Sequence, residues 1–234
     1  MTITLITGAN KGLGYETARQ LIEAGHTVYV AARDTTRGKE AATRLGAAFV
    51  QLDVTDDVSV AAAAAQIREE RGRLDVLINN AGIAGTGKVG PRIGSLTATE
   101  LSTTFDTNVY GPVRVTNAFL PLLQLSDNPV VVNVSSGLGS IAVCIDPDRV
   151  EFQVVTIDYN ASKAALVMAN AQYAKAFPAI RFNAVDPGYT ATDLNDNSGP
   201  QTVAEGAEIL VRMARIGQDG PTGGFFDRHG VVPW

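Results

Sequence analysis

Cysteine occurs once, at Cys144, so neither an internal disulfide nor a cysteine-based metal cluster is available. Histidine is almost as scarce, and His26 and His229 are too few for a His-rich metal site. No run of lysine or arginine forms a basic stripe. With a net charge of -5 and a pI near 5.0, this argues against nucleic acid or an anionic membrane surface as a partner. No apolar run reaches the length of a membrane span. Met1 leads straight into a strand-like run rather than a signal peptide, so the expected compartment is the cytoplasm. There is no linker, repeat, low-complexity tract or shift of composition, and the length suits one α/β domain over residues 1–234.

What is present alternates regularly. β-branched and apolar runs at Thr2–Thr7, His26–Ala32, Ala47–Leu52, Leu74–Ile78, Pro129–Val134, Ala179–Val185 and Gly223–Phe226 read as strands. Helical patterns lie between them: after Gly14, from Val58 to Glu70, from Leu96 to Leu125 with an interruption near Gly111-Pro112, from Ala161 to Ala176, and from Thr202 to Arg215. The segment from Gly137 to Asp158 has no clear periodicity. Crossovers of this length imply an α/β fold with a doubly wound parallel sheet (Rossmann) of about seven strands, with helices on both faces. Ligands of such sheets bind outside the carboxyl ends of the strands. Gly8, Arg33, Asp53, Asn80, Ser136, Tyr159 and Pro187 all fall at or just beyond a strand end.

Two stretches on that edge carry chemistry. Gly8-Ala-Asn-Lys-Gly-Leu-Gly14, between the first strand and a helix, makes a phosphate cradle: glycine admits a pyrophosphate, and backbone N–H groups with the positive helix end face it. Past the second strand, the chain offers both Arg33 and Asp34. An acid there holds a ribose 2′-hydroxyl, whereas an arginine accommodates a 2′-phosphate. With Lys11 and Arg37 nearby, NADP(H) is favoured over NAD(H). The bland alternative makes Arg33 and Arg37 solvated charges and Asp34 an N-cap. The second stretch is Tyr159-Asn-Ala-Ser-Lys163, which puts a phenol and an ammonium on one helix face a turn apart. A fixed ammonium favours the phenolate. A downward shift of about three units needs roughly 4 kcal/mol, which one close cation supplies in order of magnitude at an effective dielectric of about 20.

Together these motifs resemble the short-chain dehydrogenase/reductase family, in its compact carbonyl-reductase-like branch. The matches run in family order: Thr7-Gly8-x-x-x-Gly12-x-Gly14, Asp53, Asn79-Asn-Ala-Gly82, Asn108, Ser136, Tyr159-x-x-x-Lys163, and Pro187-Gly188 with Thr192 beyond. The resemblance implies reduction of a ketone or aldehyde on a small organic molecule, or the reverse oxidation of an alcohol. In it Tyr159 exchanges the proton, Lys163 stabilises the phenolate and holds the nicotinamide ribose, Ser136 hydrogen-bonds the carbonyl oxygen, and Asn108 holds a water. It also implies cofactor contacts from Gly8, Asn10, Lys11, Gly12, Leu13, Gly14, Arg33, Arg37, Asp53, Val54, Asn80, Ala81, Gly82, Tyr159, Lys163, Pro187, Gly188, Thr190 and Thr192, and no metal. Residues 137–158 and 189–201 are the expected substrate-pocket segments. The first is longer than is usual in the family and lies near a helix through which members often assemble, so it bears on substrate shape and leaves open whether the chain forms a homo-oligomer. A competing class, an NADP(H)-binding sensor without turnover, need not keep the tyrosine.

Overall fold

A computed structural model describes residues 1–234. Its seven strands are β1 (Ile3–Thr7), β2 (Thr27–Ala32), β3 (Ala48–Gln51), β4 (Val76–Asn79), β5 (Val130–Val134), β6 (Arg181–Val185) and β7 (Phe225–Phe226). All pair in parallel, in one sheet ordered β3-β2-β1-β4-β5-β6-β7. The expected doubly wound sheet is therefore present, and each strand lies within two residues of its reading from sequence. The order reverses between β1 and β4. In sheets of this kind the ligand crevice lies at the carboxyl edge beside such a reversal.

The helices are α1 (Gly12–Glu23), α2 (Thr35–Leu45), α3 (Asp57–Arg71), α4 (Ala98–Phe105), α5 (Gly111–Leu123), α6 (Ile141–Cys144), α7 (Asp158–Ala176) and α8 (Val203–Ala214). Alternation along each strand divides the core into two layers. Leu5, Tyr29 and Val131 point to the face covered by Ile67 of α3, Phe119 of α5 and Ala174 of α7. Ile6, Val30 and Val132 point to the other face, against Leu21 of α1, Ala41 of α2 and Leu210 of α8. Complete burial of a side chain such as Phe119 contributes about 1.5–3 kcal/mol, so this central packing holds the strand ends rigidly.

Three segments differ from their sequence reading, the first being Thr35–Leu45, which forms α2 where the sequence reading places no helix. The interruption expected at Gly111-Pro112 comes one turn earlier, where Asp106–Tyr110 form a π-helical turn joining α4 to α5. Gly111 N–H bonds the Asp106 carbonyl, five residues back. The cause is local: Pro112 has no N–H to give the Asn108 carbonyl four residues before it. The segment without periodicity holds short turns of helix, including Gly137–Gly139, α6 and Val150–Gln153. Hydroxyl caps nucleate two of them. Ser136 Oγ accepts from Leu138 N and Ser140 Oγ accepts from Val143 N.

Candidate active site

β5 ends at Val134 and delivers Ser135 and Ser136 to the carboxyl edge of the sheet. Ser135 is buried, and its hydroxyl donates to the Lys163 carbonyl at 3.1 Å, fastening the strand end to α7. Ser136 keeps partial exposure, so the second serine is the one open to a ligand. Tyr159 is the second residue of α7 and Lys163 follows one turn later, with its ammonium 5.5 Å from the centre of the phenol ring. Lys163 is 5% exposed and donates to the Val134 carbonyl at 2.8 Å. A β-carbon placed on Gly82 would stand 3.6 Å from that ammonium, so the turn after β4 reaches the same point.

Asn108 sits in the π-helical turn and its amide is fully engaged by protein. Its oxygen accepts from Ile83 N at 2.9 Å; its nitrogen donates to Ile83 O and to Ser162 Oγ, both at 3.0 Å. Ser162 in turn donates to the Tyr159 carbonyl at 2.7 Å. Asn108 thus braces the β4 turn against the first turn of α7.

The electrostatics reverse one expectation. Burial pushes the Tyr159 phenol up to about 12; the neighbouring Ser136 hydroxyl opposes this and the Asp186 carboxylate adds to it. The ring retains some exposure while its hydroxyl end is enclosed. Burial also lowers the Lys163 ammonium to about 8, with Asp186 opposing. The ammonium does not produce a phenolate here: burial is the largest influence on both groups, and it penalises the charged form of each. A neutral phenol is the form that can donate a proton. Asp186, just past β6, is itself pushed up by burial, against N–H donors from Gly188 and Gly137, and further up by Asp227 and Glu151.

The glycine turn fits a dinucleotide on structural grounds. Gly8 has φ +65°, and a β-carbon on Gly14 would lie 2.4 Å from Asn80 Nδ2 and 2.8 Å from the Gly8 carbonyl. Helix α1 starts without a side-chain cap, which leaves its first N–H groups directed at an incoming anion. Asn10, Gly12 and Leu13 line this turn with partial exposure, and Thr192 packs across from Gly12.

Other expected cofactor residues play holding roles in this geometry. Asn80 donates to the Thr7 and Gly8 carbonyls, and Thr7 Oγ1 accepts from Asn80 N and Ala81 N, so these residues clasp the β1 and β4 turns together. Asp53 accepts from the Thr55 N–H and hydroxyl. Burial works against its ionisation, but those bonds and the nearby Arg33 hold its carboxyl below the usual range. Val54 is buried under Gly111. Thr190 Oγ1 donates towards the Pro187 and Gly188 carbonyls, and Gln201 Nε2 joins it on Pro187. The cations are arranged less simply than expected. Arg33 is exposed past β2; Arg37 lies 3.7 Å from Asp34, which also caps α2. Lys11 pairs with Asp193 at 2.8 Å. His26 lies at the opposite edge, bonded to Thr4. Asp158, Ser162 and Asp186 have no assigned role in the sequence reading. Only the acid directly before Tyr159, at a helix start, carried a signal.

A glycine turn after the first strand of a parallel sheet, with a serine, a tyrosine and a lysine on the same edge, defines a Rossmann-type oxidoreductase. The chain belongs to the short-chain dehydrogenase/reductase family: residues 2–202 match its model, described as short chain dehydrogenase. As in other members, its chemistry is oxidoreduction at CH–OH or C=O groups. It is 35% identical to (+)-neomenthol dehydrogenase of Capsicum annuum, over 97% of this chain and 96% of that one. That alignment runs over 303 positions, so the relative carries segments with no counterpart among these 234 residues. Among solved structures, salutaridine reductase of Papaver somniferum superposes with a TM-score of 0.83 at 31% identity, covering 97% of this chain and 99% of that one. An NADPH-bound carbonyl reductase from chicken fatty liver gives a TM-score of 0.87 at 28% identity, over the full length of both chains.

Proposed function

We propose that the protein is an NADPH-dependent reductase of a ketone or aldehyde on a small, largely apolar molecule, able to run in reverse on the alcohol. The observation that carries this reading is the meeting of Ser136, Tyr159 and Lys163 with the β4 turn at Gly82. The bound nicotinamide supplies hydride. Tyr159, protonated at neutral pH, donates to the carbonyl oxygen as charge develops there. Ser136 hydrogen-bonds the same oxygen and stabilises that charge. Lys163, anchored on Val134, favours the phenolate that results and recovers the proton from solvent. Asn108 keeps Tyr159 and the β4 turn in register, and its backbone carbonyl, which Pro112 cannot bond, is the group it offers to a water.

Gly8 to Gly14, Asp53, Val54, Asn80 to Gly82, Pro187, Gly188, Thr190 and Thr192 would hold the dinucleotide. Lys11, Arg33 and Arg37 favour a 2′-phosphate, a reading supported by the NADPH-bound relative of the same fold. Residues 137–158 and 189–201 would form the substrate walls. Their exposed Ile145, Phe152, Val155, Ile157 and Leu194 suit an apolar body better than a sugar or a phosphate ester. Loss of NADPH absorbance with a panel of cyclic ketones, quinones and aldehydes tests the activity. Binding of NADPH without turnover of any of them would favour a sensor instead. Arg33→Asp should weaken NADPH far more than NADH; equal effects would remove Arg33 from cofactor choice.

A further inference from the structure

Asp158, the residue before the catalytic tyrosine, is 1% exposed, and none of the ion pairs of the protein includes it. A buried carboxylate without a cation is costly unless N–H and O–H donors surround it. The donors come from three elements. Oδ1 accepts from Tyr159 N at 3.0 Å, in the first turn of α7, where the helix dipole favours an anion. Oδ2 accepts from Thr86 N at 2.6 Å and from the buried Thr104 hydroxyl of α4 at 3.4 Å.

The Thr86 bond reaches beyond helix capping, because Thr86 lies in the segment running from the β4 turn to the rim of the site. The same segment is clamped at Ile83 by Asn108, and Gly90 N donates to the Val155 carbonyl at 2.9 Å. Between the clamps, Gly85 has φ +82°, and a β-carbon there would lie 2.4 Å from Asp158 Oδ2. Glycine is thus required both by conformation and by the closeness of the carboxylate.

Building on the proposed reductase, we propose that Asp158 is a positioning residue that ties the rim segment Ala84–Ser95 to the backbone of Tyr159, fixing where a substrate carbonyl sits relative to the phenol. The test uses Asp158→Asn, which keeps the shape but sets an amide NH₂ against one of the N–H donors, and Gly85→Ala, which keeps the carboxyl group but drives a β-carbon against it from the rim segment. Each should lower kcat/KM for a ketone by roughly tenfold or more, mainly through KM, while the Kd of NADPH stays within about twofold. Hydrogen exchange of Ala84–Ser95 should quicken in both, and the double variant should fall short of the sum of the singles. A role confined to stability would lower the unfolding temperature and leave the KM-to-kcat split and the rim exchange unchanged. That result, or a Gly85→Ala variant with wild-type KM, overturns the proposal. Should the wild type reduce no carbonyl compound, the reductase reading fails by itself, and exchange of Ala84–Ser95 in the two variants still decides for or against the strut.

Discussion

Lys163 directs its ammonium at the Val134 carbonyl, 2.8 Å away, while the centre of the Tyr159 ring lies 5.5 Å from it. The lysine is therefore held by the end of β5 and acts on the phenol by proximity. Burial brings Lys163 to about 8 and takes Tyr159 to about 12. Lys163 is thus the first of the pair to lose its proton as pH rises.

This ordering predicts the pH profile. Carbonyl reduction needs the ammonium to stabilise the nascent phenolate, so kcat/KM should fall above pH about 8, with the tyrosine still protonated. Asp186 raises Lys163, and removing its charge lets the ammonium lose its proton sooner. Asp186→Asn should therefore move the alkaline limb to lower pH. A limb that stays in place or moves up would exclude Asp186 from the electrostatics of the site.

The Lys11–Asp193 pair joins the glycine turn to the loop after β6, and in the proposed reading it would compete with a cofactor phosphate for the same ammonium. Asp193→Asn should tighten NADPH. Because both partners are exposed, the pair is weak and screened by salt, so the gain should be a few-fold at low salt and vanish at high salt. Titration of both proteins with NADPH at two ionic strengths checks it. Equal affinity in low salt would show that Lys11 does not meet the cofactor.

Beneath the site a chain of buried amides crosses the sheet. Asn79 donates to Asn133 at 2.9 Å and to Thr116 at 3.1 Å, and Asn133 donates to Asn170 at 3.0 Å. Asn79 Oδ1 already lacks a partner. Asn133→Val would strip Asn79 of an acceptor and Asn170 of a donor, costing about 2–4 kcal/mol. Thermal unfolding should show a loss of several degrees. An unchanged midpoint would mean the chain contributes nothing to stability.

The strand ends were legible because β-branched runs, glycine spacing and the Tyr159–Lys163 interval are local patterns. Those patterns implied the parallel sheet that puts Ser136 and the Tyr159–Lys163 pair on one edge, and the resemblance to the family added Gly82 to the same site. What stayed hidden depends on distant neighbours. The upward shift of Tyr159 comes from burial by several elements, which the interval to Lys163 does not reveal. Asn108 serves Ile83, 25 residues earlier, and Lys11 meets Asp193, 182 residues later. The π-helical turn was half visible: Pro112 signalled a break, but the bond it removes belongs to Asn108, one turn upstream.

The most direct test of the central claim is NADPH oxidation by the wild type and by Tyr159→Phe, with an apolar cyclic ketone, together with the Kd of NADPH for both. The wild type should consume cofactor in step with alcohol formed, while the phenylalanine variant binds NADPH nearly as well and turns over at least about a hundredfold more slowly. Turnover by Tyr159→Phe at the wild-type rate would contradict the role assigned to the phenol.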